Sequence, residues 1–487
     1  MFPWKSTLAI SETSSSPIYL QIANNIIRLI SSGKLAKGHK IPGSRGMSDL
    51  LEINRKTVIQ AYDELTAQGW LYSMPSKGTF VSENLPIISP KPLQETNTTE
   101  DTSGNPVYNN FNFIPPYSPQ AINTLEINDG SPDHRLAPID WIYKECKSFS
   151  KSKYGKLLLK YNDVKGDETL RKELARYLAE TRGMNITPDH ILITRGSQMG
   201  IFLIASATLK PSDYAIVGDS SYDAADWTIQ YTGAKIHRIT VDKEGLNTDE
   251  LEAFCKKNQV KLVYITPHHH FPTTVTLSNH RRIKLLELSL KYNFTVIEDD
   301  YDYDFHYSSS PLLPLASLNH KAHVAYIGSF SKIFAPSIRV GYITAHPEFI
   351  DELSKIRRIV DRQGDPVIER VIAESIISGE LNRHLKKTVK EYKGRRDHFC
   401  KLLKLHLGDY THFTTPEGGM AIWTTFNKEI PLKQALNSAH NHGLSVNVDK
   451  QHIIKYNAMR LGFASLNYNE AETAITKLSE IIKQSAS

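Results

Sequence analysis

Between Pro17 and Gly33 the isoleucines Ile18, Ile22, Ile26 and Ile30 recur at four-residue intervals in PIYLQIANNIIRLISSG. That spacing keeps them on one helical face and predicts a core-facing helix with Gly33 as its C-cap. After KLAKGHKIPG the hydroxyl of Ser44 is placed to cap SRGMSDLLE, and a break at Ile53 and Asn54 precedes RKTVIQAYDELTAQG. There Val58, Tyr62 and Leu65 fall at i, i+4 and i+7, the inward face of a further helix that Gly69 ends. WLYSMPSKGTFVS then predicts two short strands around a Pro-Ser-Lys-Gly tip.

From about residue 126 the pattern changes. Helical stretches alternate with short apolar runs, HILIT, YAIVGD, KLVYIT, FTVIED and VAYIGS, which predicts an α/β fold with a mostly parallel sheet. Between the two patterned regions, residues 83–125 carry seven prolines from Pro86 to Pro119 and no sustained apolar period. This is expected to be a linker with a root-mean-square span of roughly 35–40 Å. The chain therefore divides into a module at 1–82, the linker at 83–125 and a larger module at 126–487.

With 487 residues, two or more domains are expected. No apolar run reaches the length of a membrane span, and MFPWKSTLAISETSS lacks the apolar core of a signal peptide, so a cytoplasmic protein is expected. Cys146, Cys255 and Cys400 lie too far apart for a disulfide framework or a spaced metal site and read as reduced thiols. Of the net charge of +6, residues 1–82 supply nine Lys/Arg against five Asp/Glu, an excess that permits a nucleic-acid partner.

The chemistry centres on GSFSKIFAPSIRVGY, Gly328 to Tyr342. A pyridoxal phosphate (PLP) pocket needs an amine to form an imine, and hydroxyls and a guanidinium for a phosphate. Lys332, Ser329, Ser331 and Arg339 supply these groups. Upstream, Phe294 to Ile297 predicts a buried strand with Glu298, Asp299 and Asp300 following at its carboxyl end, where ligands of open α/β sheets bind. Asp299 is the candidate for keeping the pyridine nitrogen protonated, and Tyr301 for the ring oxygen. Gly196, Ser197 and Gln198 stand where strand HILIT gives way to a helix, so backbone N–H groups can receive phosphate. The plainer alternatives are a polar loop, an acidic turn and an ordinary helix cap. In TPHHHFPTT, side chains alternating along a strand would keep His268, His269 and His270 from converging on one metal ion, while leaving any of them free to approach the ring oxygen.

With phosphate turn, acid and lysine in that order, the chain from about Glu126 onward resembles a fold-type-I aminotransferase. The first eighty or so residues, through R-x-x-S-x-x-L at Arg45 and K-G-T-F at Lys77, resemble a GntR-type winged helix. Together they resemble the MocR-type transcriptional regulators. The resemblance implies a smaller aminotransferase subdomain from about Gly379 and an aromatic ring, Tyr222, lying over the cofactor. It also implies that Arg460 in NAMRLGFAS pairs with an effector carboxylate, a buried structural salt bridge being the alternative. Tyr161 matches a tyrosine that reaches the phosphate of the partner subunit in a head-to-tail dimer. In the winged helix, Ser44, Arg45, Lys77 and Gly78 are assigned to DNA phosphate, and Arg55, Lys56 and Thr57 to base edges. Gly43 stands where relatives commonly have serine, and Thr274 where they usually have glycine. The implied function is a PLP-dependent DNA-binding regulator with an amine or amino-acid effector. Two alternatives are a working aminotransferase with an appended DNA-binding head, and a head that contacts protein instead of DNA.

Overall fold

The computed structural model describes residues 2–8, 10–11, 16–85, 110–116, 125–307, 312–318, 322–446 and 450–486. Most of the expected linker, 86–109 and 117–124, lies outside the described residues. The chain forms two compact units, Met1–Asn109 and Asn110–Ser487.

In the first unit, α1 (Ile18–Ser31) buries Ile22 and Ile26 completely and Ile18 and Ile30 in part. Burying Ile22 and Ile26 fully contributes roughly 1.5–3 kcal/mol each. Its C-cap is Ser32, one residue earlier than expected, and Gly33 follows it at φ 73°. Strand β1 (Lys40–Ile41) leads to α2 (Ser44–Leu51). Here Ser44 does not cap. Gly43 holds the cap position without a side-chain bond, and Ser44 Oγ, already inside the helix, accepts from Arg55 Nε at 3.2 Å. The cap that does form belongs to α3 (Arg55–Ala67), where Asn54 Oδ1 accepts from the Lys56 N–H at 2.9 Å. Val58, Tyr62 and Leu65 face the core as their spacing requires, and the Tyr62 hydroxyl donates to the Pro42 carbonyl. Strands β2 (Leu71–Met74) and β3 (Gly78–Val81) form the hairpin, with β1 pairing against β3 as a third strand.

The second unit opens with β4 (Leu125–Ile127). Its main sheet has seven strands: β5 (Ile191–Thr194), β6 (Tyr214–Gly218), β7 (Lys235–Ile239), β8 (Val260–Ile265), β9 (Thr295–Asp300), β10 (Val324–Ser329) and β11 (Gly341–Thr344). They are ordered β5-β11-β10-β9-β8-β6-β7, and only β11 runs against its neighbours. All five apolar runs are strands of this sheet. The acidic triplet does not follow β9, as expected, but forms its last three positions, with Asp299 opposite Ile327 and Asp300 opposite Gly328. Carboxylates can occupy a buried strand end because each is met by donors. Glu298 accepts from the Leu315 and Ala316 N–H groups, Asp299 from Tyr264, and Asp300 from Tyr326.

Helix α4 (Ser197–Thr208) packs on this sheet and α5 (Asp223–Tyr231) follows β6. After Gly379, the long helix α6 (Glu380–Leu407) leads to β12 (Thr411–Phe413) and β13 (Ala421–Phe426). These form a three-stranded sheet with β15 (Ala458–Gly462), while β14 (Leu444–Val446) pairs parallel with β4. Helix α7 (Tyr468–Ala486) covers this part. No helix among the described residues is long and apolar enough to cross a membrane.

Candidate cofactor site

The carboxyl ends of the parallel strands open into a cavity of about 230 Å³. Lys332, Asp299, Tyr301, Tyr222, Ser197 and Arg460, all singled out in the sequence, line it, together with Asp129, Gly130, Tyr264 and Phe271, which were not. Lys332 lies in the turn after β10, and its Nζ donates to the Gly130 carbonyl at 2.7 Å. Burial lowers the pKa of this amine, and the carboxylates of Asp129 and Asp302 oppose the shift.

Strand alternation turns Asp299 toward the cavity. Its Oδ2 accepts from the Tyr264 hydroxyl at 2.9 Å, whereas Oδ1 is buried without a partner among the described residues. Burial pushes this carboxyl up to about 7, Tyr264 pulling the other way. The Tyr301 hydroxyl donates to the His269 carbonyl at 2.9 Å and accepts from Arg460 Nη2 at 3.2 Å, so its proton is committed elsewhere than to the cavity. Tyr222 packs edge-on against Phe271, ring centroids 5.6 Å apart. Burial pushes its phenol up to about 12.

Arg460 is buried and forms no ion pair among the described residues. It donates through Nε to the Asp129 carbonyl at 2.8 Å and through Nη1 to the Pro272 carbonyl at 3.1 Å, above the Phe271 ring. The structural salt bridge considered as the alternative is therefore not what holds this guanidinium.

Of the residues expected around a phosphate only Ser197 lines the cavity, and beside it Gly196 caps α4 at φ 81°. A Cβ there would lie 3.0–3.2 Å from the Arg339 guanidinium, so glycine is what lets Arg339 cross the helix N-terminus, where its Nη2 donates to the Arg195 carbonyl. The first-turn N–H groups, Gln198 included, have no acceptor within the helix. Ser329 Oγ accepts from the Ser331 N–H at 3.2 Å, and Ser331 Oγ is buried without a partner among the described residues. Tyr161 is 79% exposed, stacks on Arg362 and does not line the cavity.

The three histidines follow β8 in a bend, so strand alternation is not what separates them. They diverge because each has its own partner: His268 pairs with Asp300 at 3.3 Å, His269 with Asp302 at 2.7 Å, and His270 with Thr273 at 2.8 Å.

In the first unit, Arg45, Arg55, Lys56 and Lys77 are exposed, Ser44, Thr57 and Gly78 partly so. Arg55, Lys56 and Thr57 form the first turn of α3, and Lys77 and Gly78 stand at the hairpin tip.

Residues 124–478 match the family model "Aminotransferase class I and II", and residues 18–81 match "Bacterial regulatory proteins, gntR family". The chain is 28% identical over 478 residues to the uncharacterized HTH-type transcriptional regulator YisV of Bacillus subtilis, covering 97% of this chain and 98% of the relative. It is 23% identical over 441 residues to the probable rhizopine catabolism regulatory protein MocR of Rhizobium meliloti, covering 90% and 87%. Among solved structures, the kynurenine aminotransferase of Pyrococcus horikoshii in complex with PMP superposes with a TM-score of 0.69 at 30% identity, covering 74% of this chain and 91% of that one. Fold and site thus define a winged-helix head joined to a fold-type-I aminotransferase module. The chain belongs to the aminotransferase class I and II family, and in carrying a GntR head before that module it is similar to relatives named as MocR and other HTH-type transcriptional regulators.

That fold implies pyridoxal phosphate, and the residues present fit it. The unpartnered Asp299 Oδ1 suits a protonated ring nitrogen, and the unpartnered Ser331 hydroxyl, the free N–H groups of α4 and Arg339 suit a phosphate.

Proposed function

We propose that this protein is a cytoplasmic, PLP-dependent transcriptional regulator that binds operator DNA and responds to the cofactor or to an amine or amino-acid effector. The observation that carries the proposal is the pairing, in one polypeptide, of a winged helix bearing exposed Arg55 and Lys56 with a cavity shared by Lys332, Asp299 and Arg460. When bound, the cofactor supplies an electron-withdrawing ring next to the effector amine. Lys332 would be the residue that holds it, since burial keeps more of that amine in its neutral, nucleophilic form. Asp299 would hold the ring nitrogen protonated and Tyr222 would supply an aromatic surface for the ring. Gly196, Ser197, Gln198, Ser329, Ser331 and Arg339 take the phosphate, while Tyr301 orients Arg460. Arg460 has N–H groups left over from its three bonds with which to receive a carboxylate.

On the head, Arg55, Lys56 and Thr57 read base edges, while Ser44, Arg45, Lys77 and Gly78 meet phosphates. A homodimer, head-to-tail as in the regulators this chain resembles, is supported only in so far as apolar side chains such as Leu159, 79% exposed beside Tyr161 in the chain, are left open to a second subunit. In that dimer Tyr161 serves the partner's phosphate site. Regulation requires an effector that binds one arrangement of the protein better than another.

A working aminotransferase is the second reading, favoured by Lys332, Asp299 and Arg460 lining a single cavity. Multiple turnover across amino donors separates the two, since a sensor completes only half-reactions. The primary test is spectroscopic. Lys332→Ala protein reconstituted with PLP is expected to lose the absorbance band of the lysine-bound cofactor, and retention of the band overturns the assignment. Footprinting on the protein's own upstream region is expected to show protection, whereas an unprotected region contradicts the DNA role.

A further inference from the structure

The turn Asn128-Asp129-Gly130 meets the two cations of the cofactor cavity with its carbonyls and puts Asp129 on the cavity wall. The Asp129 carbonyl accepts from Arg460 Nε at 2.8 Å, and the next carbonyl, of Gly130, accepts from Lys332 Nζ at 2.7 Å. The turn is fixed from below, because Asn128 Oδ1 accepts from the Gly130 and Ser131 N–H groups at 3.0 and 2.8 Å and Asn128 Nδ2 donates to Ser465 Oγ at 2.8 Å. Gly130 sits at φ 109°, and a Cβ there would lie 3.3 Å from Ala421 Cβ and 3.5 Å from Arg460 Nη2. Asp129 is thus held against the ligand space by a turn with little freedom to withdraw it.

The Asp129 side chain takes part in no ion pair and no side-chain hydrogen bond among the described residues, although it lines the cavity and is only half-buried. Its charge is nevertheless felt across the pocket. It opposes the loss of the Lys332 proton and raises the phenols of Tyr222 and Tyr301. A carboxylate there works against the task of Arg460, since it repels the anionic group that the guanidinium receives. The conflict is relieved by a ligand that carries a cation as well as a carboxylate, each meeting its opposite charge.

We propose that Asp129 is a specificity-determining residue, selecting amino-acid effectors whose side chain ends in a cation, with the α-carboxylate on Arg460 and the side-chain ammonium or guanidinium on Asp129. The inference rests on the cofactor-dependent regulator proposed above and deepens it by naming the effector class. The aromatic wall at Phe271, beside Arg460, suits the methylene stem of such a side chain.

The test is a spectral titration of the full-length holoprotein with lysine, ornithine and arginine against norleucine and glutamate, in the wild-type and Asp129→Asn proteins. Wild-type protein is expected to bind lysine at least tenfold more tightly than norleucine, which matches its stem without the charge. In Asp129→Asn that ratio is expected to fall to within about twofold of one. A merely structural Asp129 would change all affinities together and leave the ratio intact, which overturns the inference. Equal wild-type affinities for lysine and norleucine overturn it without recourse to any variant. A coloured holoprotein with no cation preference refutes this inference alone, whereas a protein that takes up no cofactor refutes the underlying function and the inference with it.

Discussion

Replacing Asp299 by asparagine should improve the empty protein and impair the loaded one. The carboxyl is buried, one of its oxygens lacks a partner, and burial moves it from an ordinary 3.8 to about 7. A carboxyl raised on folding contributes stability in full below its unfolded value. That contribution is lost as pH climbs through the folded value, so Asp299 erodes the stability of cofactor-free protein between about pH 4 and pH 7. At 1.36 kcal/mol per pKa unit the loss is at most about 4 kcal/mol by pH 8. Imperfect accommodation of the amide, including its N–H groups near Tyr264, returns roughly 1–3 kcal/mol of that. The neutral amide cannot hold a protonated ring nitrogen, and loss of a charge-assisted bond of about 1.5–3 kcal/mol weakens cofactor affinity by roughly 10- to 150-fold. Thermal melts at pH 5 and pH 8, with and without PLP, measure both effects. The Asp299→Asn protein is expected to melt higher than wild type without PLP at pH 8 but not at pH 5, and to gain much less from PLP. Equal apo melting curves at both pH values, together with a full PLP-induced shift, would refute the claim that Asp299 is a buried charge awaiting a cation.

The partner of that carboxyl gives a second expectation. Tyr264→Phe removes the 2.9 Å bond to Asp299, so PLP affinity should fall about tenfold or more near neutral pH and recover relative to wild type at higher pH. A PLP titration from pH 6.5 to 9 checks it, and an unchanged affinity throughout removes Tyr264 from the site. On the head, alanine at Arg55 and Lys56 is expected to weaken operator binding and narrow the gap between operator and unrelated DNA. Lys77→Ala is expected to weaken both equally and reduce the salt dependence by about 0.9 in logarithmic slope. Fluorescence anisotropy at several salt concentrations distinguishes these outcomes.

The framework was legible because its signals are local. Runs such as Ile191–Thr194 and Val260–Ile265 are largely apolar and β-branched, and they fall in one sheet. Strand β7 was missed because KIHRI is interrupted by charge and histidine at a sheet edge, and β11 because GYIT is short and its neighbours in the sheet include a strand far away in sequence. Lys332, Asp299 and Arg460 carried chemistry in their residue types and reached one cavity. Asp129 and Gly130 had no such signal. DGS reads only as a turn, and its partners Arg460 and Lys332 are 331 and 202 residues away. Tyr264 was invisible for a different reason, since a tyrosine inside KLVYIT reads as core. The Ser44 cap and the alternation of the histidines both failed on backbone register, where a one-residue offset or a bend in place of a strand changes what a side chain faces.

The same turn bears on how occupancy of the cavity could reach the head. The linker from the winged helix ends at β4, whose Leu125, Glu126 and Ile127 pair in parallel with Leu444, Ser445 and Val446. The next three residues make the turn that touches Arg460 and Lys332. Arg460 itself lies on β15 yet donates to Pro272 and Tyr301, which belong to the loops of the large sheet. A ligand carboxylate that draws on this guanidinium therefore acts at once on the large sheet's loops, on the smaller sheet and on the strand that receives the linker. Tight binding alone would transmit nothing, because a ligand shifts an equilibrium only by its difference in affinity between two arrangements. Such a difference can arise at Arg460, whose three bonds all cross from β15 to other segments, because a ligand received on its remaining N–H groups acts on the same guanidinium that holds the turn at the end of β4.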